Sequence, residues 1–115
     1  MEFEKLLKKF LPLTEATYYI MLSLVEPLHG YGIMQYVEEI SGGRVKLGPG
    51  TLYGAIGKLE KEKIISITME VDRKKCYQLT AEGRLILAQE IRRLGSLYEH
   101  GKSAIEKLEK ENNEL

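Results

Sequence analysis

The apolar residues of this 115-residue chain follow helical spacing in its first half, alternate over a short middle stretch, and fall into heptads towards its end. A first helix is predicted over residues 2–10. Because a helix of two to three turns is unstable alone, it must pack against another surface, such as a partner subunit. The alternative is a frayed terminus. A second helix, apolar on most sides, is predicted from an N-cap at Thr14 to about Val25. A third follows a turn at residues 28–32 and runs to about Ser41, where two glycines stop it.

The stretch Lys46–Glu60 is predicted to form a tight turn that leads into a short helix, because Pro49 suits a first helical turn. Leu52, Ile56 and Leu59 form one apolar stripe at i, i+4 and i+7. The opposite face carries small or basic residues, namely Thr51, Gly54, Lys58 and Lys61. We interpret this face as one that enters the major groove of DNA. The alternative is an ordinary amphipathic helix with a solvated face.

Alternating apolar residues over 64–71 predict a strand, and a second strand is predicted over 76–79, so that the two form a β-hairpin. Three bases, Arg73, Lys74 and Lys75, cluster near its tip. A solvated turn explains their polarity, but it does not explain why such a basic run lies beside the helix predicted to read DNA. We therefore favour contact with phosphate or with the minor groove.

The last helix is predicted to begin after an N-cap at Thr80 and to run to about Asn112, which makes it roughly 45–50 Å long. Its apolar positions are spaced four and three residues apart: Leu87, Ile91, Leu94, Tyr98, Gly101, Ile105 and Leu108. This seam predicts a second helix beside it, most simply from a second copy of the chain. A packing stripe against the chain's own core is the alternative.

The chain has 17 basic and 17 acidic residues, so its formal net charge is zero. The charges are nevertheless segregated. Residues 12–43 carry four acids and no lysine or arginine, whereas residues 44–77 carry eight bases against four acids. The basic excess therefore lies on the segment that contains the predicted reading helix and hairpin, as binding to a phosphate backbone requires.

The composition argues against several other classes of protein. No apolar run approaches the ~20 residues of a membrane span, and the N-terminus lacks a signal-peptide pattern, so we expect a cytoplasmic protein without a membrane partner. Cys76 is the only cysteine, which rules out an intrachain disulfide and leaves a redox-sensing role open. His29 has no potential metal ligand at suitable spacing, and neither histidine is near Cys76 in sequence. We therefore expect no metal, no cofactor and no enzymatic activity.

The order helix, helix, helix, hairpin and long helix is that of a winged helix-turn-helix protein. The predicted fold class is therefore mainly α with a small β-hairpin: a winged helix-turn-helix followed by a long C-terminal helix. We assign residues 1–11 to an N-terminal helix at a dimer contact, residues 12–80 to a DNA-binding domain, and residues 81–115 to a dimerisation helix.

Five runs, in this order, resemble the PadR family of transcriptional regulators: Leu13–Ile20, Pro27–Met34, Leu47–Tyr53, Leu59–Ile64 and Tyr77–Gly83. The resemblance covers about residues 12–100 and is closest to compact members with a single C-terminal helix. It implies a homodimeric repressor that binds inverted-repeat operators in double-stranded DNA and is released by a small aromatic or hydrophobic effector. It also implies that Gly50, Thr51 and Tyr53 lie at the DNA face, although Tyr53 is equally compatible with the core.

The chain departs from the usual pattern of the family at several positions. Gly54 and Gly57 stand where larger polar or basic residues are common in the family. Recognition of DNA is therefore expected to depend more on Lys46, Thr51, Lys58 and the hairpin. Lys63 replaces a helix-ending glycine, and the absence of tryptophan excludes an indole-based effector site. The predicted DNA-binding residues are Lys46, Gly50, Thr51, Tyr53, Gly54, Lys58, Arg73, Lys74 and Lys75. The predicted dimer interface comprises Phe3, Leu7, Phe10, Leu87, Ile91, Leu94, Tyr98, Gly101, Ile105 and Leu108.

The main hypothesis is therefore a sequence-specific DNA-binding regulator. The alternative is a winged-helix module that binds another protein and has no DNA role. That alternative is motivated by the zero net charge and by the scarcity of side chains at Gly54 and Gly57.

Overall fold

The computed structural model describes residues 2–114, with side chains for residues 2–111. The described residues form five α-helices and three strands. In chain order these are α1 Glu2–Phe10, α2 Glu15–Ser23, β1 Leu28–His29, α3 Gly30–Ile40, α4 Pro49–Lys61, β2 Ile65–Val71, β3 Lys74–Leu79 and α5 Ala81–Glu114. The predicted fold class, a mainly helical winged helix-turn-helix with a long C-terminal helix, is confirmed.

The sheet differs from the predicted two-stranded hairpin. Leu28 pairs with Tyr77 and His29 pairs with Cys76, so the segment predicted as a turn adds a third antiparallel strand, and the order is β1-β3-β2. A strand of two residues is too short to show periodicity, which is why the sequence pattern did not reveal it. The two strands of the wing, β2 and β3, are joined through Asp72 and Arg73.

A single hydrophobic core lies between α2, α3, α4, the sheet and the first turns of α5. Its buried members are Ile20, Met21, Leu24, Ile33, Val37, Leu52, Ile56, Leu59, Ile64, Ile65, Tyr77, Leu79, Ile86 and Leu87. The predicted stripe of α4 is therefore buried as expected. No helix in the described part of the chain combines the length and the apolar character that crossing a membrane requires.

Two groups of residues predicted at the dimer interface lie against the chain's own core. Phe3, Leu7 and Phe10 are partly buried there, so α1 already has a packing partner within its own chain. Leu87 is 4% exposed and belongs to the core. Its place in the predicted dimer seam is therefore wrong, because the first turns of α5 face their own domain.

The apolar alternation of β2 predicts more burial than the structure shows. Ile65 is buried, but Ile67, Met69 and Val71 are 42%, 48% and 50% exposed. A bulge interrupts the pairing with β3 between Ile67 and Met69. The wing therefore extends beyond the core, and the core covers only its base.

The helix caps predicted from the sequence are present. Thr14 Oγ1 accepts a hydrogen bond from the Thr17 N–H at 3.1 Å, and Thr80 Oγ1 accepts one from the Gly83 N–H at 3.1 Å. The end of α2 is less well predicted, because the helix stops at Ser23, before the expected Val25. At the other end of the chain, α5 continues to the last described residue.

Helix α4 ends in a Schellman motif. The Ile64 N–H donates to the Leu59 carbonyl at 2.9 Å, and the Lys63 N–H donates to the Glu60 carbonyl at 3.0 Å. Lys63 has a φ of 61°, which is the left-handed region where glycine is favoured. Lys63, which replaces the glycine usual in the family, therefore stands at the position of this motif that requires a positive φ.

Glu90 is a buried charge that the sequence pattern did not predict. Glu90 is only 1% exposed. The carboxylate accepts hydrogen bonds from Arg93 Nε at 2.6 Å, from Arg93 Nη2 at 3.0 Å, and from the Leu13 N–H at 2.7 Å. The bond from Arg93, with a further contribution from Leu13, holds the pKa of Glu90 below its ordinary value although burial alone would raise it. Because Leu13 lies between α1 and α2, this network ties the N-terminal segment to α5.

Candidate nucleic-acid interface

Helix α4 buries its apolar stripe and exposes the face predicted to read DNA. The exposed residues of α4 are Pro49, Gly50, Thr51, Tyr53, Gly54, Gly57, Lys58, Glu60 and Lys61. Tyr53 is 50% exposed, which excludes the alternative in which it belongs to the core. A Cβ atom added at Gly50, Gly54 or Gly57 would meet nothing within 4 Å. Packing within the chain therefore does not require glycine at these three positions.

A cleft of about 480 Å³, called here the wing cleft, separates α4 from the wing. It is lined by His29, Gly30, Tyr31, Tyr53, Arg73, Lys74, Lys75 and Tyr77. The structure thus brings Tyr53 together with the basic residues Arg73, Lys74 and Lys75, which lie about 20 residues away along the chain. His29 and Tyr31 were not among the predicted DNA-binding residues. Only the position of β1 and of the start of α3 in the fold shows that these two residues line the cleft.

A second recess of about 200 Å³, called here the α1 groove, lies on the other side of α4. It is lined by Lys9, Phe10, Pro12, Leu13, Thr14, Thr17, Ala55, Lys58 and Leu59. Lys58 therefore borders one recess while Tyr53 borders the other. The strip of Gly50, Gly54 and Gly57 runs between them on the exposed face of α4.

The basic side chains in this region differ in whether they form ion pairs with acidic neighbours. Within residues 2–111, Lys58 and the wing bases Arg73–Lys75 form no ion pair. In contrast, Lys46 lies 3.7 Å from Glu38 and borders neither recess. The structure therefore does not bring Lys46 together with the other predicted residues, and its contact with DNA stays a prediction.

Two further ion pairs hold the elements around α4. Arg44 pairs with Glu15 across the start of α2, and Lys9 of α1 pairs with Glu62 at the end of α4. The hydrogen bond from Lys9 lowers the pKa of Glu62. Sequence reasoning missed these pairs because their partners are distant along the chain.

Two side chains of β3 with reactive groups are largely hidden from solvent. Burial raises the pKa of Tyr77, with smaller contributions from Glu60 and Tyr53, so its hydroxyl group stays neutral. Cys76 is 7% exposed, on the strand beside the wing cleft. His29 of β1 is the register partner of Cys76, so the two residues lie side by side in the sheet.

The segment that forms this candidate interface also carries the family match. Residues 19–89 match the model of the transcriptional regulator PadR-like family, which is more than half of the chain. The chain belongs to the PadR-like family. The matched residues include α3, α4 and the whole sheet, and hence all residues of the wing cleft.

Solved structures of other regulators share the fold of this PadR-like chain. RosR of H. salinarum superposes with a TM-score of 0.67 at 20% identity, covering 92% of this chain and 99% of that one. A PadR-like transcriptional regulator from Bacillus cereus gives a TM-score of 0.65 at 19% identity, covering 88% and 96%. Bacillus subtilis PadR, in complex with operator DNA, gives a TM-score of 0.58 at 28% identity and covers 70% of this chain and 48% of that one.

A curated relative is also similar to this PadR-like chain. It is an uncharacterised 37.1 kDa protein in a transposon of Streptomyces fradiae, and it is 41% identical over 71 residues. Those residues are 62% of this chain and 20% of the relative, so the chain matches about a fifth of that protein's length.

Proposed function

We propose that the chain is a transcriptional repressor that binds double-stranded DNA as a homodimer at inverted-repeat operators. The observation that carries the proposal is the position of α4 between two recesses, one bordered by Lys58 and the other by Arg73–Lys75, which form no ion pair within residues 2–111. A major groove about 12 Å wide admits one helix, and the DNA backbones then lie on its two sides. The exposed face of α4 fits the groove, while the wing cleft and the α1 groove lie where those backbones pass.

The residues around this face divide into two roles. Thr51 and Lys58 have side chains that reach towards base edges or phosphates, while Gly50 and Gly54 allow the helix backbone to come close to the groove. Arg73–Lys75 contact the flanking backbone. Because α4 offers few long side chains, we infer that backbone contacts and DNA shape contribute more to recognition than a dense set of base contacts.

The homodimer is supported by the exposed part of α5. Ile91, Tyr98, Ile105 and Leu108 are between 43% and 60% exposed, although the spacing of these residues is that of a helix seam. An apolar stripe of this length is unfavourable in water unless another surface covers it. A second copy of α5 supplies a matching stripe, and a two-fold dimer presents two α4 helices to two half-sites of an inverted repeat.

The proposal includes release from DNA by a small aromatic or hydrophobic effector. The resemblance to the PadR family motivates this part, and so do the exposed Leu97 and Tyr98 of α5. A ligand that binds between two copies of α5 changes the distance between the two reading helices, which gives it a physical route to weaken DNA binding.

The proposal is tested by in vitro selection of genomic fragments with the purified chain, followed by titration of a selected duplex at several salt concentrations. We expect an inverted repeat and a steep negative slope of log affinity against log salt, near 0.9 per neutralised phosphate. Failure to bind any genomic fragment at low salt would refute DNA binding by this chain.

The alternative is a module that binds a protein, which the exposed Ile67, Met69 and Val71 of the wing favour. The double variant Lys58→Glu with Arg73→Glu separates the two functions. It abolishes binding to DNA but spares an apolar contact with a protein. Lys107→Glu, an exposed change on α5, is the control that must leave DNA binding intact if the contacts are local.

A further inference from the structure

The imidazole ring of His29 has a defined proton position within the wing cleft. Its Nδ1 accepts a hydrogen bond from the Gly32 N–H at 3.0 Å, which caps the start of α3. A ring nitrogen that accepts from a backbone N–H carries no proton, so the neutral ring carries its proton on Nε2. Within residues 2–111 this Nε2–H has no hydrogen-bond partner. His29 therefore presents a neutral donor to the cleft.

The groups around His29 suit an anion that carries several oxygen atoms. Arg73, Lys74 and Lys75 line the same cleft and supply positive charge, and Tyr53 supplies a hydroxyl group. No acidic side chain of the described residues lines this cleft, and Glu60 of α4 is the acid close enough to Tyr77 to contribute to its raised pKa. A phosphate group offers acceptor oxygens and a negative charge that match both kinds of donor.

We infer that the wing cleft binds one phosphodiester of the DNA backbone, with the Nε2–H of His29 as a neutral donor beside the charges of Arg73–Lys75. The inference rests on the proposed function and deepens it, because it adds a residue that lies outside both the reading helix and the wing. DNA is the source of the phosphate because Tyr53 joins the cleft to the exposed face of α4. A duplex that lies against α4 carries its backbone across this cleft.

The contribution of a neutral donor differs measurably from that of a lysine. A lysine that neutralises a phosphate releases a counterion and so changes the salt slope, whereas a neutral donor strengthens binding without changing that slope. His29→Asn removes the Nε2 donor but keeps an oxygen that caps α3, because asparagine is a strong N-cap. His29→Ala removes both the donor and the cap and so reports the structural role.

The experiment measures the affinity of a selected duplex by fluorescence anisotropy at several salt concentrations, together with thermal unfolding of each variant. For His29→Asn we expect roughly tenfold weaker binding at every salt concentration, an unchanged slope and an unchanged melting temperature. For Lys75→Gln we expect the slope to fall by about 0.9. Unchanged affinity of His29→Asn at all salt concentrations would overturn the inference while leaving DNA binding itself established.

A second readout follows the His29 ring directly. His29 and His100 are the only histidines, so a His100→Gln background leaves one imidazole for ¹⁵N-detected NMR. We expect a protonated Nε2 in the free protein, and a shift of this N–H on addition of the duplex.

Inorganic phosphate at constant ionic strength is the second ligand in this readout. A shift with both ligands supports a general phosphate site, and a shift with the duplex alone supports a site completed by DNA. A shift with neither ligand overturns the inference. Because the phosphate measurement needs no operator, it decides on the site even if no duplex is bound and the proposed function fails.

Discussion

The hydroxyl group of Tyr53 lies over the Cα atom of Gly30, so closely that a Cβ atom on Gly30 would stand 2.2 Å from the hydroxyl oxygen. This contact joins the start of α3 to the exposed side of α4. It therefore helps to set the angle between the two helices of the helix-turn-helix, and it holds the Tyr53 ring at the edge of the wing cleft.

Gly30→Ala is expected to lower stability by about 1 kcal/mol, because the added methyl group displaces Tyr53. In a Tyr53→Ala background the same change is expected to be neutral or stabilising, since alanine favours a helical position over glycine. Urea unfolding of the four proteins in this double-mutant cycle measures the coupling. Equal effects of Gly30→Ala in both backgrounds would contradict the role given to this contact.

Glu90→Gln is expected to destabilise the chain by about 2 kcal/mol at neutral pH, because the paired charge of Arg93 loses its partner. The folded-state pKa of Glu90 lies below the ordinary 4.5. The contribution of ionised Glu90 to the free energy of unfolding is therefore complete above the ordinary pKa. It is lost as the pH falls through the lower pKa of the folded state.

The stability difference between the wild type and Glu90→Gln should therefore be constant near neutral pH and shrink in acid. Urea unfolding at a series of pH values measures this difference. Glu99→Gln, on the exposed part of α5, is the control for removal of a carboxylate without such partners. A difference that grows as the pH falls would reverse the expected sign.

Lys63→Gly is expected to stabilise the chain by about 1 kcal/mol, because glycine adopts the positive φ of this position without steric cost. Lys63→Ala removes the same charge but keeps the Cβ atom, so it should give no such gain. The midpoint of urea unfolding distinguishes the two variants. Similar gains from both would show that charge, and not backbone conformation, limits stability here.

Gly54→Ala is expected to affect stability and DNA binding in opposite directions. The open space around Gly54 allows a methyl group, and alanine stabilises a helix interior by about 1 kcal/mol relative to glycine. The same methyl group holds α4 away from DNA and should weaken binding. Gly95→Ala in α5 is the matched control, since it has equal space but lies far from the reading face. Full DNA affinity in Gly54→Ala would argue against close backbone approach.

Ile105→Lys is expected to convert the proposed dimer to a monomer, because a charge placed within an apolar helix seam remains unpaired. Sedimentation equilibrium measures the change in mass. Lys107→Glu, which changes an exposed charge two residues away, should leave the mass unchanged. A wild-type chain that is monomeric at all concentrations would remove the basis for the interface along α5.

Sequence patterns predicted those features of the fold that depend on local chemistry. The stripe Leu52, Ile56 and Leu59 was confirmed because helical spacing alone decides which side of α4 can be buried. The caps at Thr14 and Thr80 were confirmed because a hydroxyl group before a helix satisfies its first amides.

Features that depend on distant partners were missed. Arg93 lies only three residues from Glu90, but nothing near Glu90 in sequence shows that it is buried or that the Leu13 N–H donates to it. His29 was considered as a metal ligand, but its place in the wing cleft depends on the pairing of β1 with β3. Leu87 was assigned to the dimer seam because heptad spacing does not distinguish the chain's own core from the surface of a partner.

The overhang of α5 makes the proposed regulator sensitive to its own abundance. Within residues 95–111 every side chain of the helix is exposed, so a lone protomer gains little from keeping this end ordered. In the proposed dimer, ordering of the helix end and pairing of two chains form one coupled step, and the concentration of dimer rises with the square of the free protomer concentration. A cell with few copies would hold mainly single chains that engage half-sites weakly. A modest rise in synthesis would produce a steep rise in operator occupancy.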